Sequence, residues 1–143
     1  MTDELYVARA ALHYWEEPII SGTRGSGTVF FSGCSLRCVY CQNKEISRAV
    51  SGIKITEERL SEIFLELQSS GAHNINLVTP THYAPSIKES IILARKNGLT
   101  LPIVYNTSGY DSIETLKQLD GLVDVYLTDF KYYLDKLNKC CYY

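Results

Sequence analysis

A regular alternation of strand-like and helix-like segments along residues 28–130 constrains the fold more than any other feature. Strands are predicted at 28–33, 74–78, 101–105 and 122–130, and amphipathic helices at 56–70, 86–97 and 111–120. Each helix ends at a glycine, and a Ser-x-x-Glu capping box is predicted to open the second one at Ser86. Because strands separated by single helices pair in parallel with right-handed crossovers, we predict an α/β fold.

The N-terminal segment before this alternation is predicted to be a helix over residues 3–17. Its apolar residues recur at helical spacing: Leu5, Ala8, Leu12 and Trp15. Pro18 is expected to end it, and a glycine-rich loop follows. We therefore expect a single domain over residues 1–143, with the helix and loop in 1–27 and the βα units in 28–143.

Composition narrows the function classes. The chain has 143 residues, of which 45% are hydrophobic, so it can bury a sizeable core. Its net charge of −2 gives no basic surplus for nucleic acid. Apolar runs fall short of the roughly 18 residues of a membrane span, and the acidic N-terminus does not resemble a secretory signal. These features predict a cytoplasmic protein that binds neither nucleic acid nor membrane.

Three cysteines form a Cys-x3-Cys-x2-Cys motif directly after the first predicted strand: Cys34, Cys38 and Cys41. In parallel α/β folds this position, the carboxyl end of a strand, is where active sites form. Three thiolates from one loop suit an iron–sulfur cluster with one iron open to a ligand, since closed clusters normally take four cysteines. Two alternatives stay open: cysteines buried as small apolar residues, and a zinc site completed by a histidine or a C-terminal cysteine. Structural zinc motifs usually have two separated ligand pairs, which the sequence does not show.

The cysteine loop, with Tyr40 before its last cysteine, resembles that of the radical S-adenosylmethionine (SAM) enzymes. The sequence on either side of the loop is similar to that of the uncharacterised homologues of pyruvate formate-lyase activating enzyme. The similar segments are residues 13–18, 25–31, 78–83, 105–110 and 129–132. The resemblance implies a partial TIM-type (βα) barrel with parallel strands. Such barrels have about six βα units, and about four can be identified here after the N-terminal helix. The expectation is therefore a C-terminally truncated barrel.

The resemblance also implies a chemistry. Cys34, Cys38 and Cys41 would ligate three irons of a [4Fe–4S] cluster, and SAM would chelate the fourth. One electron would then cleave SAM to methionine and a 5′-deoxyadenosyl radical that abstracts a hydrogen atom. The implied partners are a glycyl radical enzyme or another protein substrate, and flavodoxin or ferredoxin as electron donor. The alternatives are a truncated, non-catalytic cluster-binding fragment and a small zinc-binding interaction module.

Cofactor contacts are expected at the strand ends and beside the last cysteine of the loop: Tyr40, Thr79, Thr81, Asn106, Ser108, Asp129 and Lys131. Where superfamily members often have a Gly-Gly-Glu-like motif, this chain has threonines 79 and 81. Asp129 and Lys131 extend one face of the last predicted strand, after Val123, Val125 and Leu127, and resemble an Asp-x-Lys motif that meets SAM.

Several of these residues also have a structural interpretation. The segment around Asn106 and Ser108 is typical of a turn, Tyr40 could pack in the core, and the Asp-x-Lys pair could form an ion pair. Packing roles are favoured for His13, Trp15 and His82. No role is assigned to Cys140 and Cys141.

Overall fold

The computed structural model of the protein describes residues 4–36, 38–48 and 51–130. Within them lie six strands: β1 (Tyr6–His13), β2 (Ser26–Phe31), β3 (Ile53–Lys54), β4 (Ile75–Val78), β5 (Ile103–Thr107) and β6 (Val125–Thr128). The α-helices described are α1 (Pro18–Ser21), α2 (Lys44–Ser47), α3 (Glu57–Ser69), α4 (Ala84–Lys96) and α5 (Ile113–Gln118). A 3₁₀ turn, Thr81–Tyr83, directly precedes α4.

The strands form one sheet in the order β3-β1-β2-β4-β5-β6. Strands β2, β4, β5 and β6 pair in parallel, whereas β1 pairs antiparallel with both β2 and β3. Helices α3, α4 and α5 connect the successive parallel strands. The predicted α/β class is confirmed, and the mainly parallel sheet is consistent with a partial (βα) barrel.

The predicted N-terminal helix is wrong: most of residues 3–17 form strand β1 and the segment that follows it. Leu5 and Val7 are both buried, which is the period of a strand with one face on the core. Val7 pairs with Phe31 and His13 with Ser26, so hydrogen bonding to β2 outweighs the helical spacing of the apolar residues. Pro18 begins α1 instead of ending a helix.

The three crossover helices are where the sequence predicted them, with shifts at their ends. Thr56 caps α3 by accepting a hydrogen bond from the Arg59 backbone N–H at 3.2 Å. Helix α4 begins at Ala84, so Ser86 lies inside the helix and the predicted capping box is wrong. The third and fourth predicted strands are displaced or shortened to Ile103–Thr107 and Val125–Thr128.

The two faces of the sheet differ in chemistry. On the helix side, apolar residues of the sheet pack against α3 and α4 in one core: Val29, Phe31, Leu60, Phe64, Ile75, Leu77, Ile87, Ile91, Ile103 and Tyr105. Strand residues alternate in direction, so Thr28, Asn76 and Asn106 point to the opposite face, inside the partial barrel. Within the described part of the chain, no helix is both long and apolar enough to span a bilayer.

Candidate functional site

A cavity of about 590 Å³ lies where the parallel strands end, and nine of the predicted site residues line it. They are Cys34, Cys38, Tyr40, Cys41, Thr79, Thr81, Asn106, Ser108 and Asp129. They come from the loops after β2, β4, β5 and β6, which the parallel pairing brings to one edge. Lys131, Cys140 and Cys141 lie outside the described residues.

The cysteine loop is held by its own hydrogen bonds. Gly33 has a φ of 82°, a left-handed conformation that suits glycine, and its N–H donates to the Ile46 carbonyl at 2.8 Å. Within the loop, the Cys41 N–H donates to the Cys38 carbonyl at 3.2 Å. An Arg48 guanidinium N–H donates to the same carbonyl at 3.4 Å. These contacts fold the loop back on itself and keep its three cysteines on the cavity wall.

Hydrogen-bond donors lie near two of the sulfurs. The Leu36 N–H donates to Cys34 Sγ at 3.4 Å, and Ser47 Oγ lies 3.4 Å from Cys41 Sγ. Cys38 is buried beside Leu36, while the other two cysteines are half-buried. Donors to sulfur and partial burial are the features by which proteins tune iron–sulfur clusters, so the donor set fits such a group.

A single-ion site is a different arrangement. Among the described residues, no group of three His, Cys, Asp or Glu side chains is placed to hold one metal ion. The three cysteines of the loop would instead supply their thiolates to an iron–sulfur cluster.

His82 lies behind the start of the cysteine loop. Its Nε2 lies 2.9 Å from the Ser32 carbonyl, and its ring contacts Tyr83 at a centroid distance of 4.0 Å. Burial lowers the pKa of His82, which favours the neutral ring that donates from Nε2. Its Nδ1 is buried and meets no hydrogen-bond partner in the described part of the chain. The structure therefore places His82 against the loop's backbone.

The loop after β5 is fixed by Asp111. The Tyr105 hydroxyl donates to Asp111 Oδ1 at 2.9 Å, and the Thr107 hydroxyl donates to the other carboxylate oxygen. Thr107 Oγ1 also accepts from the Gly109 N–H at 3.2 Å and lies 3.5 Å from Thr81 Oγ1. Burial, and then the charge of Asp111, raise the pKa of Tyr105. This network ties the turn containing Ser108 to the loop that follows β4.

Thr79 has an unusual backbone. Its φ of 59° lies in the left-handed region, which a β-branched residue rarely adopts. Its N–H donates to the Asn106 carbonyl at 3.1 Å, so pairing to the neighbouring strand holds it there. Such strain costs about 1–3 kcal/mol and is concentrated at functional sites. It occurs here at a position predicted to contact the cofactor.

The sequence analysis missed a contribution from the end of β1 and the segment between β1 and α1. His13, Trp15 and Glu16 line the cavity, although the first two were assigned to packing. Glu16 Oε2 accepts hydrogen bonds from Asn76 Nδ2 at 3.1 Å and from Asn106 Nδ2 at 3.2 Å. The apolar residues Leu5 and Val7, two positions apart, were the available sequence signal that a strand precedes this segment.

Comparison with known proteins agrees with this fold. Residues 28–141 match the Radical SAM superfamily, and the chain belongs to that superfamily. The chain is 33% identical over 138 residues to the uncharacterized protein MJ0674 of Methanocaldococcus jannaschii, covering 90% of this chain and 39% of that protein. It is 30% identical over 113 residues to the uncharacterized protein MJ0808 of the same organism, covering 76% of this chain and 32% of that protein.

The chain thus spans less than half the length of these relatives. Membership in this superfamily supports the interpretation of the chain as an iron–sulfur protein that acts on SAM, since superfamily members typically use a [4Fe–4S] cluster and SAM together. The zinc-binding interaction module is not favoured.

Proposed function

We propose that this chain binds a [4Fe–4S] cluster through Cys34, Cys38 and Cys41 and cleaves SAM reductively. The observation that carries the proposal is the shared cavity: the three cysteines and all the described residues expected to contact SAM line it together. The cavity lies at the carboxyl ends of parallel strands, the usual place for catalysis in such folds. The donor set of three cysteines on one loop suits a cluster with one open iron.

The chain's own residues position the two groups. The loop's three thiols would hold the cluster, and polar groups of Thr79, Thr81 and Ser108 would orient SAM. Asp129, on the cavity wall, would accept hydrogen bonds from it. When bound, the cluster and SAM together supply a 5′-deoxyadenosyl radical for hydrogen-atom abstraction. The rest of the protein's task is orientation and exclusion of competing reactions.

The finer proposal is an activating type of enzyme. The resemblance of residues 13–18 and 78–83 to homologues of pyruvate formate-lyase activating enzyme supports a protein substrate, a glycyl radical enzyme. An iron–sulfur cluster takes one electron at a time, so flavodoxin or ferredoxin is the proposed donor. A new glycyl-radical electron paramagnetic resonance (EPR) signal on the partner would support this type. Steady 5′-deoxyadenosine formation with no radical on any candidate partner would contradict it.

The main proposal is tested by anaerobic reconstitution with iron and sulfide, followed by a dithionite-driven assay for 5′-deoxyadenosine. The wild type is expected to hold about four irons per chain and to form 5′-deoxyadenosine. Cys34→Ala, Cys38→Ala and Cys41→Ala are each expected to lose most of the iron and all of the product. Cys140→Ala, the same change outside the motif, should keep both. Wild-type protein that takes up zinc and no iron would refute the proposal.

A further inference from the structure

Asp111 binds two hydroxyl groups of β5 at once. Tyr105 donates its hydroxyl proton to Asp111 Oδ1 at 2.9 Å, and Thr107 donates its hydroxyl proton to Asp111 Oδ2. A carboxylate offers only acceptors and a hydroxyl has a single proton, so both protons point to Asp111. The oxygens of Tyr105 and Thr107 can therefore only accept from any further neighbour. The Gly109 N–H is one such neighbour, since it donates to Thr107 Oγ1 at 3.2 Å.

Thr81 is a second neighbour, and this arrangement fixes the direction of its proton. Its Oγ1 lies 3.5 Å from Thr107 Oγ1. Burial and then Asp111 raise the pKa of Tyr105, whereas the Thr81 hydroxyl acts in the opposite direction, as a donor to the phenol oxygen does. Because both nearby oxygens have given their protons to Asp111, Thr81 has to donate its own proton to one of them. The lone pairs of Thr81 Oγ1 are then left for the cavity, which Thr81 lines.

Asp111 acts from outside the cavity that the cysteine loop lines. It lines a second cavity, of about 500 Å³, and Thr107 lines both cavities and separates them. Thr107 is buried, and its backbone carbonyl accepts from the Asp129 N–H at 3.0 Å. The separating residue is thus held through its backbone as well as its side chain. Asp111 can therefore affect a ligand in the first cavity without touching it.

We propose that Asp111 is a positioning residue that makes Thr81 a hydrogen-bond acceptor for SAM. The inference deepens the proposed function, on which it rests, because it states which kind of SAM group Thr81 would receive: an N–H or O–H donor. The amino and hydroxyl groups of SAM are donors, whereas its carboxylate is itself an acceptor and does not fit. The polarity of this contact is set by a side chain that would not touch the cofactor.

The test measures SAM binding without turnover. SAM is titrated by calorimetry into cluster-loaded protein in the absence of reductant. Thr81→Val removes the acceptor, and Asp111→Asn keeps the size of the side chain but introduces an N–H donor. Whichever way that amide is turned, one of the two hydroxyls meets a donor and directs its own proton to Thr81. Asp120→Asn is the matched control, because Asp120 is an exposed carboxylate that also lines the second cavity.

We expect Thr81→Val and Asp111→Asn each to weaken SAM binding about three- to tenfold, because one hydrogen bond to the ligand is lost. Asp120→Asn should leave it within about twofold. The double variant Thr81→Val/Asp111→Asn should bind SAM as Thr81→Val alone does, because Asp111 acts through Thr81. A merely structural role of Asp111 would loosen the loop in both backgrounds, so the two losses would multiply. Multiplied losses, or wild-type SAM affinity in Asp111→Asn, would overturn the inference.

Thr107 supplies a second pair of variants, which carries the test if Asp111→Asn fails to fold. Thr107→Val removes the acceptor of the Thr81 proton and should weaken SAM binding, whereas Thr107→Ser keeps that acceptor and should restore it. Equal SAM affinities in these two variants would also overturn the inference. A wild type that binds SAM but forms no 5′-deoxyadenosine once reduced refutes the proposed function alone, since the titration uses no reductant. A wild type that binds no SAM refutes both.

Discussion

Asn74 connects three parts of the fold, and its replacement by alanine tests the energetics of the segment that carries Glu16. Its Oδ1 accepts from Ser26 Oγ at 2.6 Å, and its Nδ2 donates to the Ile20 carbonyl at 2.7 Å. Ser26 and Ile20 are buried, and Asn74 itself is only 5% exposed. The side chain thus joins the start of β4 to β2 and to α1, the helix that begins two residues after Glu16.

Asn74→Ala leaves a buried hydroxyl and a buried carbonyl without their partner. Each unsatisfied group costs about 1–3 kcal/mol, so the free energy of unfolding should fall by about 2–6 kcal/mol. A domain of this size is stable by only about 5–15 kcal/mol, so the change is a large fraction of the total. The measurement is urea unfolding by circular dichroism, with the m-value checked for constancy.

Two further variants make this prediction sharp. Asn97→Ala applies the same change at an exposed residue at the end of α4 and should shift stability by less than about 0.5 kcal/mol. Ser26→Ala removes one of the two bonds, and its effect should not add to that of Asn74→Ala because both variants disrupt the same contact. A loss below about 1 kcal/mol in Asn74→Ala, or full additivity in the double variant, would refute the reasoning.

Two other predictions concern the cluster and pH. Ser47→Ala should lower the reduction potential of the cluster by tens of millivolts, because the hydroxyl that can donate to Cys41 Sγ is removed. A redox titration followed by EPR measures this potential. Tyr105 has a raised pKa in the folded protein, so its contribution to stability is complete below about pH 10, the unfolded value, and is lost as pH rises above it. Unfolding titrations between about pH 9 and 11 should show this decline, and Tyr105→Phe should reduce it. Tyr6, Tyr83 and Tyr126 also have raised pKa values and account for the part that remains.

Controls for these two predictions lie close by. Ser35→Ala changes an exposed serine of the same loop and should leave the potential unchanged. An unchanged potential in Ser47→Ala would show that the hydroxyl does not donate to the sulfur. For the pH effect, the wild-type profile is the reference against which Tyr105→Phe is compared. A flat wild-type profile above pH 10 would contradict the assigned burial of Tyr105.

Features encoded in local pattern were predictable from the sequence. Helix α3 has a threonine cap, an apolar face and a terminal glycine within one short segment, so its bounds were nearly right. The cysteine spacing made the loop visible, and the parallel strand order placed Thr79, Asn106 and Asp129 at the same edge. All these signals lie within one element or follow from the order of elements.

What could not be predicted depends on contacts between distant residues. Glu16 bonds to Asn76 and Asn106, which are 60 and 90 residues away, so no local pattern marks it. Strand β1 was mistaken for a helix because its neighbour β2, which supplies its hydrogen bonds, begins after an intervening helix and loop. The strain at Thr79 also arises from its pairing to Asn106, which only the assembled sheet provides.

The antiparallel position of β1 has a consequence for how this sheet can grow. Strand β1 occupies the edge of β2 where a closed barrel would receive its last parallel strand, and β3 beyond it is only two residues long. At the other margin, β6 presents four residues with Val125 and Tyr126 exposed. Sheet edges recruit further strands through their unpaired backbone groups. Within the described residues, the parallel part of the sheet is therefore open to extension at β6, because β1 and β3 cover its other side.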